Sequence, residues 1–263
     1  MMREWACIGS SVQGTSHVDS ATPCQDYSIY KQLHTPQGET VLLLAASDGA
    51  GSAAYAEVGA QLVGNQMIQQ ATAFIEGGGR LRALDRQQMA LWIARTVDAL
   101  EEDAAHNGRG LRDYASTLLF AAIGQTDSAF CQVGDGAIVV NHGITYRTIF
   151  WPQCGEYINS TKFLTDRDCI SSFLFATDSC LIDEVAVFTD GIQGLALHYG
   201  TKSVHGPFFE PMFKALRAHG LSDTDRMENG LRQFLTGRAV NDRTDDDKTL
   251  VLASRRSNAL ALI

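Results

Sequence analysis

Three times in this chain an apolar run ends in aspartate followed by glycine: Asp48-Gly49 after residues 41–46, Asp135-Gly136 after 129–133, and Asp190-Gly191 after 185–188. A fourth acidic group, Asp245-Asp246-Asp247, stands just before the last apolar run at 249–253. Carboxylates gathered from strand ends onto one edge of a layered fold are hard oxygen donors, the ligands that divalent cations such as Mg2+ and Mn2+ take. Two unit charges 4 Å apart repel by roughly 4 kcal/mol at an effective dielectric near 20, so aspartates that converge call for cations. Asp-Gly is also a favoured hairpin turn, the aspartate bonding its own backbone and the glycine taking positive φ. At Asp135, with a strand-like run on each side, turn and ligand stand equally open, and an acidic surface patch is a further alternative for the set. At Asp48 a long Ala-rich helix follows instead of a partner strand, so a hairpin does not explain all three.

The elements that must position these residues are legible as periodicities. Residues 41–46 form an unbroken apolar run, expected to be a strand buried on both faces. Ala60, Val63, Met67, Ala71 and Phe74 recur at helical spacing across residues 53–75, and Gly77-Gly78-Gly79 supplies a stop. Met89, Trp92, Ile93, Thr96, Val97 and Leu100 mark a second helix over 85–105, with Glu101, Glu102 and Asp103 on a solvated face. Strand-like runs at 116–123, 129–133 and 137–140 suggest a meander; helices are expected near 208–218 and 223–235, and a strand at 249–253. No repeat or linker divides the chain, so one domain over residues 1–263 is expected. Trp92 and Trp151 are expected in the core.

Composition excludes several classes of function. The 263 residues hold 21 basic against 30 acidic side chains, a net charge of −9, which offers no electrostatic footprint for nucleic acid. No apolar run has the length of a signal peptide or a membrane span, so a cytoplasmic protein without a membrane partner is expected. The six cysteines are widely spaced with no Cys-x-x-Cys pair, and are expected to be reduced thiols. None has arginine six positions later, which disfavours a cysteine nucleophile acting on phosphate.

In order along the chain, Cys24-Gln25-Asp26, Ser47-Asp48-Gly49-Ala50-Gly51, Ser116-Thr117, Val133-Gly134-Asp135-Gly136, Phe188-Thr189-Asp190-Gly191 and Asp246-Asp247-Lys248-Thr249 resemble the signature of the PPM-type (type 2C) metal-dependent serine/threonine phosphatases of compact bacterial form. The resemblance implies an α+β fold: a four-layer α/β/β/α sandwich of two mainly antiparallel sheets flanked by helices, with a dinuclear Mn2+ or Mg2+ centre at one edge. By analogy Asp48 bridges both ions, the Gly49 carbonyl completes one, Asp190 and Asp246 hold the other, and Asp135 helps bind a looser third. Asp26 orients a metal-bound water, and a metal-bridging hydroxide attacks phosphoserine or phosphothreonine directly. Asp245 and Asp247 are expected to be solvated neighbours of Asp246.

Two positions depart from the family pattern. Ala21 stands where members commonly carry a phosphate-binding arginine, and Ala50 where some carry a histidine thought to protonate the leaving group. His17 is the nearby titratable group that can fill either place. Gly14-Thr15-Ser16-His17 and Pro23-Cys24-Gln25-Asp26 also resemble a bacterial branch encoded beside a kinase and a von Willebrand A-domain protein, which with phosphorylated protein substrates are the implied partners. The stretch between Gly191 and Asn241 corresponds to where the family varies its substrate-side flap. Two alternatives accompany this: a catalytically weak pseudophosphatase that binds phosphoprotein through the acidic pocket, and a dehalogenase-like phosphatase using Asp166-Arg167-Asp168, which would need a buried strand directly before it.

Overall fold

The computed structural model describes residues 5–143, 145–153, 161–218 and 223–255. Two five-stranded antiparallel sheets lie face to face. One has the order β1-β12-β9-β6-β7, formed by Trp5–Val12 (β1), Lys248–Arg255 (β12), Glu184–Phe188 (β9), Ala137–Asn141 (β6) and Tyr146–Thr148 (β7). The other has the order β2-β3-β4-β5-β8, formed by Asp26–His34 (β2), Thr40–Asp48 (β3), Leu118–Ile123 (β4), Ser128–Val133 (β5) and Leu174–Asp178 (β8). Side chains alternate across each central strand, because successive Cβ atoms of an extended chain point to opposite faces. Leu42, Leu44 and Ala46 of β3 meet Val251 and Ala253 of β12 between the sheets, while Val41, Leu43 and Ala45 face outward onto helices. Such strands need apolar residues at every position, which is why the sequence shows continuous runs instead of alternation.

Helices close both outer faces. Ala56–Glu76 (α2) and Arg86–His106 (α3) cover the second sheet, burying Val63, Met67, Ile68 and Ala71 from one and Met89, Trp92, Ile93 and Leu100 from the other. Asp85 caps α3 by accepting the Gln88 N–H at 2.7 Å, and Gly77 to Gly79 end α2 as expected. Gly206–Ala218 (α6) and Thr224–Leu235 (α7) cover the first sheet through Phe209, Phe213, Leu216, Leu231 and Leu235. Three apolar layers between four layers of structure give the expected α/β/β/α sandwich.

The strand connections correct one expectation and remove one alternative. The strands after residue 110 are not one meander: β4 and β5 pair with each other, but β6 belongs to the opposite sheet. Asp135-Gly136 is therefore a crossing between sheets and not a hairpin turn. Asp166-Arg167-Asp168 follows no strand, since residues 161–168 are turn and irregular structure with Asp166 Oδ2 accepting the Phe163 N–H; the dehalogenase-like arrangement is absent there.

Trp92 is buried as expected, whereas Trp151 is only partly buried, against the layer under α6. Cys7, Cys24, Cys131, Cys169 and Cys180 are unpaired thiols, and each has its pKa raised, chiefly by burial in the first four and by the neighbouring Asp178 in Cys180. That is the opposite of an activated nucleophile. Cys154 lies outside the described residues. No helix among them is long and apolar enough to cross a membrane.

Candidate metal centre

Strand register brings the acidic residues to one rim. Asp26 opens β2 directly opposite Asp48, which closes β3. In the other sheet Phe188, the last residue of β9, pairs with Ala137 of β6 and with Leu250 of β12. The links 134–136, 189–191 and 245–247 must therefore all lie at that end. Oxygens of Asp48, Asp135 and Asp190 lie within 4.8 Å of one another. Asp246 is outside that group of three, at the exposed edge, but its charge raises the pKa of each.

The Asp-Gly glycines serve a purpose other than a turn. Among the described glycines with positive φ are Gly134 but not Gly49, Gly136 or Gly191. A Cβ on Gly49 would come within 2.6 Å of the Ala56 carbonyl oxygen, and one on Gly136 within 2.8 Å of that of Phe188; one on Gly191 would overlap the Asp247 carbonyl. Glycine lets backbone approach backbone at the rim, which draws the strand ends close enough for their carboxylates to meet.

Threonines then fix the loops. The Thr117 N–H donates to the Asp48 carbonyl at 2.8 Å, and Thr117 Oγ1 accepts the Asp48 N–H at 2.9 Å. Thr189 Oγ1 donates to Asp26 Oδ2 at 2.7 Å and accepts the Thr249 N–H at 3.1 Å. Three glutamines hold the Asp135 loop: Gln132 Nε2 donates to the Gly134 and Gly136 carbonyls at 3.0 Å, Gln153 Oε1 accepts the Gly134 N–H at 3.1 Å, and Gln193 Nε2 donates to the Asp135 carbonyl. Thr161 Oγ1 donates to Asp135 Oδ2 at 2.6 Å. None of these glutamines, nor Thr161, is visible as a motif. A polar residue inside or beside an apolar strand, as Gln132 is in β5, was the one available signal.

Asp245-Asp246-Asp247 needs a correction. Asp247 is 2% exposed. Its Oδ1 accepts the Gly14 N–H at 2.6 Å and its Oδ2 the Gln25 N–H at 2.5 Å. It is a buried clamp on the N-terminal segment, not a solvated neighbour; Asp245 and Asp246 are the exposed ones. His17 sits in the short helix Thr15–Ser20 (α1), not in a loop, with Nδ1 2.9 Å from Asp247 Oδ2 but off the line of a hydrogen bond. Ala21 ends α1 in the left-handed region at φ 56°. Ala50 is sealed into an apolar cluster with Ala53, Ala56 and Ala115.

The electrostatics suit cations. Burial is the largest cause raising Asp48 well above the usual carboxylate range, followed by the charges of Asp26, Asp190, Asp246 and Asp135. Burial likewise carries Asp190 up to about 7, and Asp26 up to about 8 against the opposing pull of the Thr189 and Thr249 hydroxyls. Asp135 Oδ1 is buried and has no hydrogen-bond partner among the described residues. An all-oxygen donor set with an unsatisfied buried oxygen fits a hard divalent ion.

Comparison with known proteins agrees. Residues 13–236 match the family model described as Protein phosphatase 2C. Serine/threonine-protein phosphatase 3 of Escherichia coli (strain K12) is 36% identical over 250 residues, covering 95% of this chain and 98% of that one. Two crystal structures share the fold. Serine/threonine phosphatase Stp1 from Staphylococcus aureus is 15% identical with a TM-score of 0.60, covering 97% and 95% of the two chains. RsbX in complex with magnesium is 14% identical with a TM-score of 0.56, covering 95% and 94%.

Proposed function

The chain belongs to the protein phosphatase 2C family, and on that premise we propose that it hydrolyses phosphoserine and phosphothreonine in proteins by direct, single-step attack of water. The observation that carries this is the meeting of Asp48, Asp135 and Asp190 within 4.8 Å, with one buried Asp135 oxygen that has no partner among the described residues. Asp48, Asp190, Asp246 and the Gly49 carbonyl would hold two Mn2+ or Mg2+ ions, and Asp135 a looser third; RsbX, which has a similar fold, has been crystallised in complex with magnesium. When bound, such ions acidify water and neutralise phosphoryl oxygens for in-line displacement.

The protein's own groups supply position and protons. Asp26, with one oxygen on Thr189, orients the attacking water with the other. His17, with Nδ1 against Asp247, is left with Nε2 to pass a proton to the departing serine or threonine oxygen. No covalent phosphoenzyme is involved. The unpaired thiols fit a cytoplasmic setting, and a kinase and a von Willebrand A-domain protein are the proposed partners.

Hydrolysis of p-nitrophenyl phosphate and of a phosphothreonine peptide, assayed with Mn2+, Mg2+ and chelator, tests this. Activity should require metal and disappear in Asp190→Ala. A second reading, a pseudophosphatase, is favoured by Ala21 and by the apolar burial of Ala50; wild type that binds Mn2+ yet hydrolyses neither substrate would establish it instead. His17→Ala should lower turnover about a hundredfold, in the usual range for one acid–base group, with the Mn2+-induced rise in Tm retained. Unchanged rates from pH 6 to 9 would remove His17 from the mechanism.

A further inference from the structure

Two aromatic rings are fastened to the loop that carries Asp135. The Tyr199 hydroxyl donates to Gln193 Oε1, and Gln193 Nε2 donates to the Asp135 carbonyl. Trp151 lies two residues before Gln153, whose side chain accepts the Gly134 N–H at 3.1 Å. The rings meet edge to face, with centroids 5.4 Å apart and planes at 81°. Tyr199 sits at the turn of the hairpin formed by Leu197–His198 (β10) and Ser203–Val204 (β11). It is 48% exposed, one of the few large hydrophobic side chains so open among the described residues, and it is hydrogen-bonded into the acidic rim.

We propose that Trp151 and Tyr199 form a specificity shelf for the protein substrate, binding a large apolar side chain close in sequence to the phosphorylated residue. The proposal rests on the phosphatase reading of the adjacent site. With its hydroxyl engaged by Gln193, Tyr199 presents ring carbon outward, so the chemistry it offers is apolar contact. A T-shaped pair is rigid and loses little conformational entropy on binding, as recognition aromatics do. Gln193 is 7% exposed and spans the gap between shelf and Asp135 loop.

The test walks one leucine through a phosphoserine peptide of glycine and serine, from three positions before the phosphoserine to three after, with p-nitrophenyl phosphate as reference. One register should raise kcat/KM about tenfold over the peptide without leucine, the usual return of one well-seated apolar group. That preference should vanish in Tyr199→Ala and persist in Tyr199→Phe, which keeps the ring but not the hydroxyl. A second readout is tryptophan fluorescence of the Mn2+-treated protein titrated with a non-hydrolysable phosphonate peptide. Trp5 and Trp92 are 3% and 2% exposed, which leaves Trp151 as the reporter. Equal rates in every register, or a leucine preference intact in Tyr199→Ala, would overturn the shelf. If nothing is hydrolysed, including the aryl phosphate, the phosphatase reading fails. The fluorescence difference between leucine and glycine peptides then decides the shelf alone.

Discussion

Replacing Asp48 by asparagine is expected to abolish hydrolysis while making the metal-free protein more stable. The catalytic loss should be about a hundred- to a thousandfold or more, from the scale seen when a group that stabilises developing charge is deleted. The gain in stability has a separate origin. Oxygens of Asp48, Asp135 and Asp190 lie within 4.8 Å, and two ionised groups at such a distance repel by about 3 kcal/mol at an effective dielectric near 20. Asparagine keeps the shape and removes the charge. We expect a gain of about 2–4 kcal/mol at pH 8, or roughly 5–10 °C in Tm for a chain of this length.

The pH dependence gives the sign. Asp26 at about 8 and Asp190 at about 7 hold their protons more tightly in the folded protein than when unfolded. Stability of the metal-free protein is therefore full below about pH 4 as far as these groups are concerned, and falls as pH rises through 7 to 8. Wild type and Asp48→Asn should have similar Tm values in acid and diverge with rising pH. Saturating Mn2+ should reverse the order, since two ions, each at a hundredfold excess over its Kd and each contributing about 2.7 kcal/mol, stabilise wild type by more than the variant gains. Thermal scans across pH 4–9 in chelator and in Mn2+ check both halves. A metal-free variant that melts below wild type at pH 8 would show that these carboxylates do not strain the fold.

The strands and helices could be read from the sequence because each depends on local pattern, whereas the four layers and the gathering of the aspartates came from the family resemblance. Continuous apolar runs mark strands buried on both faces, and three-four spacing marks α2 and α3. What escaped depends on contacts distant in sequence. Between β5 and β6 the link Gly134-Asp135-Gly136 has the composition of a hairpin, and nothing local says that β6 pairs with β9 instead. Gln132, Gln153, Gln193 and Thr161 acquire their roles from a loop to which none but Gln132 is close in sequence. The Asp-Gly glycines were visible, but their reason was not: at each, the crowding atom belongs to another segment. Ser116-Thr117 was recognisable as a motif, yet its action, a reciprocal pair of hydrogen bonds with Asp48, requires the register of β3 against β4.

The three consecutive aspartates show this most sharply, and substitutions there should separate neighbours that the sequence makes look alike. Thr249 points toward β1, its hydroxyl 2.7 Å from Ser11 Oγ. The two-residue period of extended chain puts Asp247 on the same inward side. Asp247→Ala would leave the Gly14 and Gln25 N–H groups buried and unpaired. Hydrogen bonds to a charged acceptor contribute about 1.5–3 kcal/mol each, so the loss should be about 3–5 kcal/mol, a drop in Tm of order 10 °C. Asp247→Asn keeps one acceptor but turns an amide nitrogen toward the other N–H, and should lose at least half as much. Asp246→Asn should leave metal-free stability unchanged or raise it by up to about 1 kcal/mol, because its remaining oxygen can still accept the Asp247 N–H and the substitution removes a charge that raises the pKa of Asp48, Asp135 and Asp190. It should nevertheless blunt the Mn2+-induced rise in Tm, which Asp247→Asn should largely retain. The opposite pattern, with Asp246 carrying stability and Asp247 carrying the metal response, would exchange the two assignments. It would also count against a clamp beside His17, since the Asp247 carboxylate holds the backbone on either side of α1 with His17 Nδ1 2.9 Å from it.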